Sequence, residues 1–269
     1  RLVQDKFGSF VVQPLPSQEV LNKHYRDTYY NGQHTNYPGK YSTEEITFFH
    51  FKDKVLDYFL ARDLTREGKR LLDVGCGPGR HASLLAEKEI DVLGIDISQE
   101  FIRLANAGES KAKFMRQDVR LMDFENEFDA VVSMCQGGFG LLCEPDSSLE
   151  DNDMDLRALE NMARALKPGG KLALSAFSSY FQVQYLSQTD HFDAFNGVNR
   201  EDVEIMNVEG EKKQAVTWTT CFTPRELRLM SEKVGLLVRN IWSVTPIDYE
   251  LLPCGTENPE FLLLAEKAT

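Results

Sequence analysis

The residues best suited to chemistry gather at Leu71-Leu72-Asp73-Val74-Gly75-Cys76-Gly77-Pro78-Gly79-Arg80. An apolar run carries an acid near its end there, and glycines at alternate positions lead into a helix-like pattern. Glycine accepts positive φ and exposes bare backbone, so a turn of this kind lets a ligand lie directly against the main chain. Two more carboxylates close the next two apolar runs: Asp96 follows Asp91–Ile95, and Asp118 stands just past Met115-Arg116. A carboxylate at a strand tip can accept both hydroxyls of a ribose, and one at a neighbouring tip can accept the amino group of an adenine. The chemistry these residue types describe is the holding of an adenosyl compound at the end of a sheet.

The pyrophosphate of a dinucleotide fits this turn poorly. The phosphate-binding fingerprint G-x-G-x-x-G requires its third glycine at position 80, but the chain has Arg80 there and places the glycine one residue early, at Gly79. Pro78 removes one of the N–H groups that a phosphate would use at a helix start. A nicotinamide dinucleotide loses ground on both counts.

The elements that must position these groups are legible as alternating patterns. Short apolar runs at 70–74, 91–95, 112–116, 128–134 and 171–177 predict strands, and amphipathic stretches at 80–88, 98–107 and 153–167 predict helices. Such alternation implies right-handed crossovers and a mostly parallel sheet with helices on both faces. Leu156, Leu159, Ala163 and Leu166 form one helical face, and Lys167-Pro168-Gly169-Gly170 is expected to stop that helix and turn the chain into the next strand. Thr223-Pro224-Arg225-Glu226 reads as a capping box with proline at the first helical position, and Gly235 closes the helix it opens. Apolar runs at 236–244 and 260–266 predict a final antiparallel pair.

Two regions lie outside the alternation. Residues 1–66 form an expected N-terminal cap segment, irregular and tyrosine-rich to residue 41; Ser42-Thr43-Glu44-Glu45 then opens a helix that ends by about Asp63. Residues 67–269 form the main domain, with an insertion at about 178–220 in which Val203–Val208 and Ala215–Cys221 predict a hairpin around Glu209-Gly210-Glu211.

Composition narrows the function classes. Thirty basic residues against 42 acidic ones give a net charge of −12, which disfavours DNA and other phosphate backbones as partners. The longest apolar runs fall far short of the roughly 20 residues that cross a bilayer, so no membrane partner is expected. Cys76, Cys135, Cys143, Cys221 and Cys254 contain no C-x-x-C pair, which suits a reducing, cytoplasmic setting. The five histidines lack the short spacing of a metal site, and no metal is expected. The chain opens on Arg1, which leaves its native N-terminus undefined, as its oligomeric state also is.

Taken together, LLDVGCGPG, GIDIS, RQDV, FDAVVSM, LKPGGKL and FTPREL resemble the class I S-adenosylmethionine-dependent methyltransferases of small-molecule type. The resemblance covers roughly residues 67–177 and, more loosely, 220–267. It implies a Rossmann-like α/β fold with a seven-stranded, mostly parallel sheet of order 3-2-1-4-5-7-6, the last strand antiparallel. It further implies that Gly75, Gly77 and Gly79 contact the methionine part and ribose of S-adenosyl-L-methionine, with S-adenosyl-L-homocysteine as product. Asp96 would hold the ribose hydroxyls, Asp118 and Val119 the adenine, and Asp73 the turn and the amino group. Cys76, Ile97, Ser133 and Met134 would line the same cofactor.

The acceptor is less determined. Ser133-Met134-Cys135-Gln136-Gly137-Gly138 follows the fourth strand, where the family places the acceptor, and lacks the Asn/Asp-Pro-Pro-Tyr type of motif used on planar nitrogens in nucleic acids. Gln136 could orient a polar acceptor. His191, flanked by Asp190 and Asp193, is the candidate general base of the insertion. Tyr29, Tyr30 and Tyr37 could close over the cofactor or cage a cationic amine. The expected activity is methyl transfer to nitrogen or oxygen of a small molecule. Transfer to protein or RNA, a nicotinamide-dependent oxidoreductase and a non-catalytic adenosyl-binding module are the alternatives.

Overall fold

The structure, a computed structural model, describes residues 2–4, 10–12, 68–134, 138–141, 154–188, 190–206, 212–245 and 249–269. The expected helix at 42–63, Tyr29, Tyr30, Tyr37, Gln136 and the turn at 209–211 lie outside these residues. The chain divides into two compact units, Arg1–Ser42 with Asp202–Val216, and Thr43–Glu201 with Thr217–Thr269. In the first unit β1 (Leu2–Gln4) and β2 (Phe10–Val12) pair antiparallel, Leu2 opposite Val12.

The second unit carries the α/β pattern. Strands β3 (Arg70–Val74), β4 (Asp91–Asp96), β5 (Lys113–Arg116), β6 (Phe128–Ser133) and the first part of β7 (Leu166–Ser178) run parallel. Strands β8 (Asp190–Asp193), β9 (Val198–Met206) and β10 (Lys212–Phe222) come from the insertion, and the parts of β9 and β10 within Asp202–Val216 belong to the first unit. The chain ends with β11 (Leu236–Val244), β12 (Leu251–Leu252) and β13 (Glu260–Lys267). The sheet order is β12-β11-β13-β7-β6-β3-β4-β5, and β13 is antiparallel to both β7 and β11. The seven strands from β5 to β11 follow the expected 3-2-1-4-5-7-6 order.

The strand count departs from the expected seven, for the sheet has 11 strands. The reason lies in β7, whose 13 residues outrun the six of β6. The β6 pairing ends at Ser133 opposite Leu174, which frees the edge beyond it for β10, paired in parallel at Cys221 opposite Phe177. Strand β10 in turn carries β9, and β9 carries β8. The helix before β7 also ends earlier than expected. Helix α3 is Met154–Ala165, and Leu166 already pairs with Phe128, so the Pro-Gly-Gly segment is a loop-out within the strand before Lys171 rejoins opposite Ala130.

Helices cover both faces. Leu159, Met162 and Ala163 of α3 and Leu227 of α5 (Pro224–Lys233) bury against Leu72, Val131, Leu174 and Leu263 on one face. Ala82, Leu85 and Ala86 of the helix Arg80–Ala86, here α1, bury with Leu71, Val92, Ala130 and Val132 on the other. Helix α2 (Gln99–Ala107) buries Ile102 and Ala105 and is capped by Ser98, whose hydroxyl accepts the Phe101 N–H at 3.3 Å. The α5 capping box forms as expected: Glu226 N–H donates to Thr223 Oγ1 and Thr223 N–H to Glu226 Oε2. A shorter helix, α4 (Ser179–Gln184), opens the insertion.

Asp129 secures the strands at the opposite end from their carboxyl tips. It accepts Lys69 and Lys167 Nζ at 2.8 Å each and the Arg70 N–H at 3.0 Å. Burial alone would raise its carboxyl, but the two ammonium groups and the N–H bring it down to about 2.

Candidate functional site

The glycine turn leaves the end of β3 and is hooked onto the neighbouring strand. The N–H groups of Gly75 and Cys76 both donate to the Ile95 carbonyl, at 2.9 and 3.0 Å, and the Gly79 N–H closes onto the Cys76 carbonyl at 3.0 Å. Such tight closure needs left-handed backbone: φ is 71° at Gly75, 54° at Gly77 and 85° at Gly79. Among the described residues beyond its chain neighbours, no atom lies within 4 Å of where a Gly77 Cβ would stand, so against them this residue turns bare backbone outward.

Asp96 ends β4 and ties the turn to the second strand. One carboxylate oxygen accepts the Gly77 N–H at 2.9 Å, and the other accepts the Ser98 N–H at 2.8 Å. Each carboxylate oxygen keeps further lone-pair capacity, so two hydroxyls can still be accepted. Ile97 follows with its side chain 54% exposed, an apolar surface beside the acid.

Among the described residues, Asp73 and Ser133 each carry a buried side-chain oxygen without a hydrogen-bond partner. Asp73 is 2% exposed and accepts the Ala82 N–H of α1, yet its Oδ2 has no partner. Burial pushes its carboxyl up to about 7; the nearby Asp96 charge adds to this, while the Ala82 N–H and Arg80 oppose it. Ser133, at the end of β6 on the neighbouring strand, is fully buried, and its Oγ also has no partner. Buried polar groups without partners are uncommon and each calls for an explanation. Met134 is buried beside it in the chain.

Asp118 is placed after β5 as expected, with its carboxylate already engaged. It accepts the Arg120 backbone N–H at 2.9 Å and the Arg120 guanidinium at 2.8–3.1 Å, and that pairing lowers its carboxyl below the ordinary value. Val119 is buried, and its carbonyl accepts Asn161 Nδ2 at 2.8 Å. Cys76 is buried, and burial with the Asp73 and Asp96 charges pushes its thiol up, making it a neutral wall.

The insertion places His191 on β8, exposed and opposite Arg200 of β9. Its two flanking carboxylates serve the local chain. Asp190 accepts the Ser187 N–H at 2.6 Å and Asn199 Nδ2 at 2.7 Å, while Asp193 accepts from Phe195 and Asn196. Among the described residues no group of three or more His, Cys, Asp or Glu is placed to hold a metal ion, and no helix is long and apolar enough to cross a membrane.

Two residues that sequence patterns did not single out help to build the site. Asp155, buried in α3, accepts the Gly140 N–H at 2.6 Å, and the Gly140 carbonyl accepts the Thr220 N–H at 2.7 Å. Together with Phe139, stacked on Phe222 at 4.7 Å, this fixes the chain just after Gly138. The signal was present, since Asp155 stands one turn before Leu159 and two before Met162, inside the apolar stripe. Phe114 of β5 is the second, packed on Gly79 and Gly94.

Residues 71–170, from β3 into β7, match the family model for the methyltransferase domain. The Bacillus subtilis protein YqeM, whose name classes it with methyltransferases, is 33% identical over 118 residues, 42% of this chain and 44% of that one. The ubiquinone biosynthesis O-methyltransferase of Coxiella burnetii is 30% identical over 129 residues, 46% of this chain and 50% of that one. The CcbJ methyltransferase of Streptomyces caelestis shares the fold, with a TM-score of 0.66 at 16% identity over 91% of this chain and 98% of that one. Residues 71–170 carry a methyltransferase domain, on a fold shared with solved methyltransferase structures. The matched stretch contains the glycine turn, Asp96, Asp118 and Ser133, whereas His191 lies outside it. The chain spans about half the length of the curated relatives it matches.

Proposed function

We propose that this methyltransferase binds S-adenosyl-L-methionine at the carboxyl ends of β3, β4 and β6 and transfers its methyl group to nitrogen or oxygen of a small-molecule acceptor. The observation that carries the reading is the pair of buried atoms Asp73 Oδ2 and Ser133 Oγ, without hydrogen-bond partners at the ends of adjacent strands, beside a turn whose Gly77 opens, among the described residues, onto free space. A ligand that brings donors and acceptors to these atoms completes them, which a bare apolar filling would not. The residues present thus fit the group.

In this reading Asp96 accepts the ribose hydroxyls while holding Gly77, and Ile97 and Val119 supply apolar surface for the base. Asp118, fixed by Arg120, takes the adenine amino group, and Asp73 faces the amino group of the methionine part. The bound sulfonium supplies an already activated methyl group. The protein's tasks are therefore to align the acceptor, worth up to roughly 7–11 kcal/mol by proximity estimates, and to exclude water. Gln136 would orient the acceptor. His191 would take a proton where the acceptor nucleophile must lose one. Support for a small-molecule acceptor comes from the Coxiella burnetii relative, named for ubiquinone biosynthesis, and from the −12 charge. The free thiols Cys76, Cys221 and Cys254 fit a reducing, cytoplasmic setting.

Thermal shift tests the donor. S-adenosylhomocysteine at about 100 times its dissociation constant should add about 2.7 kcal/mol of stability, and NAD should add none. Stabilisation by NAD alone would replace the proposal with the oxidoreductase reading. A metabolite panel read by S-adenosylhomocysteine release then identifies the acceptor.

A further inference from the structure

Gly79 and Gly77 are both left-handed, but they face different things. A Cβ on Gly77 would meet nothing, whereas one on Gly79 would fall 2.5 Å from Phe114 Cζ and 2.6 Å from Cε1. Gly94, directly opposite Phe114 in the β4–β5 register, is closed in the same way: its Cβ would fall 2.7 Å from Phe114 Cδ1 and 3.0 Å from Cys76 Sγ. One ring edge therefore rests on the bare backbone of both glycines. Ala105 of α2 stands beside it, 3.3 Å from the same Gly79 position. The turn's own bonds hold it to Ile95 and Asp96, and the Phe114 ring backs Gly79, the residue that enters α1.

We infer that Phe114 is a positioning residue for the methyl-donor site: seated on Gly79 and Gly94, its ring sets the conformation in which the 75–79 turn meets the ligand. The third glycine of the motif is then required twice within the protein, by its left-handed φ of 85° and by an aromatic side chain of the edge strand. The inference rests on the methyl-donor reading only for what the turn binds. Its claim about the turn's conformation stands apart from that reading.

Gly94 is the cleaner of the two glycines to alter, because it is not among the residues with positive φ and its methyl group would conflict only with its neighbours. The test compares wild type, Phe114→Ala, Gly94→Ala and the double variant by calorimetric titration with S-adenosylhomocysteine and by amide hydrogen exchange. Each single substitution should weaken binding roughly tenfold, and the double should bind no worse than Phe114→Ala alone, since the added methyl then has no ring to displace. Exchange at residues 75–79 should speed up in each single variant while α5 keeps its protection, an outcome that general destabilisation would not produce. Unchanged affinity and turn protection in Phe114→Ala would overturn the inference, as would effects that add in full in the double. If wild type fails to bind S-adenosylhomocysteine, the donor reading falls, and local exchange at the turn still decides the role of Phe114.

Discussion

The Gly77 N–H donates to the Asp96 carboxylate at 2.9 Å, which joins the glycine turn after β3 to the acid at the tip of β4. The acid at the strand tip and the shape of the turn are therefore one unit. A Gly77→Ala substitution should separate binding from folding. Its Cβ enters open space, so the fold bears only left-handed strain of about 1–2 kcal/mol, while the methyl group occupies the ligand's side of the turn. We expect a small loss in urea stability with at least a tenfold rise in the S-adenosylhomocysteine dissociation constant. A binding loss no larger than the stability loss would assign Gly77 a structural role only.

Ser133→Ala should act in opposite directions on the free and bound protein. Removing a fully buried hydroxyl without a partner relieves an unmet desolvation cost, so the free protein should gain about 1 kcal/mol in chemical denaturation. Binding of S-adenosylhomocysteine should weaken in the same variant. If both quantities fall, the hydroxyl is part of the packing and not of the site.

Asp73 should give the free protein a pH dependence of defined sign. Its carboxyl sits at about 7 in the folded chain against an ordinary 3.8, so the folded state holds a proton that the unfolded state has released. Stability from this group is greatest below pH 3.8, falls as pH rises towards 7, and stays low above it, with a ceiling of about 4 kcal/mol set by that interval. Asp73→Asn should flatten the slope between pH 5 and 8 measured by urea unfolding. Parallel slopes in the two proteins would refute it. Binding of a ligand that carries an ammonium group should release protons in the same window, measurable by titration in buffers of different ionisation enthalpy.

Asp129 predicts the reverse sign at the far end of the sheet. Its depressed carboxyl contributes stability above pH 3.8 that is lost as pH falls through about 2. Asp129→Ala should cost about 1–2 kcal/mol, because Lys69 and Lys167 are partly exposed and screened, and should leave S-adenosylhomocysteine affinity unchanged. A change in affinity would show that the two ends of the sheet are coupled.

The alternation of runs made a mostly parallel sheet legible, and the family resemblance implied its central order through the markers at the strand tips: Asp73 with the glycines, Asp96 before Ser98, Asp118 after Arg116. The α5 capping box was equally legible, being a local bond pattern. The extra strands were not, since β10 finds its place only because β7 outruns β6, a relation between lengths that no single segment displays. The engagement of Asp118 by Arg120 and the tether from Asp155 to Gly140 depend on which way side chains turn, which periodicity constrains only coarsely. Phe114 escaped notice because an aromatic in a short apolar run reads as ordinary core, and its purpose emerges only from what Gly79 and Gly94 lack.

The central claim is tested most directly by titrating wild type and Asp96→Ala with S-adenosyl-L-methionine in a calorimeter. The account predicts one saturable site in wild type and a loss of at least tenfold in affinity when Asp96 is removed, because the ribose acceptor and the brace on Gly77 disappear together. No binding to wild type, or equal affinity in the two proteins, would contradict it.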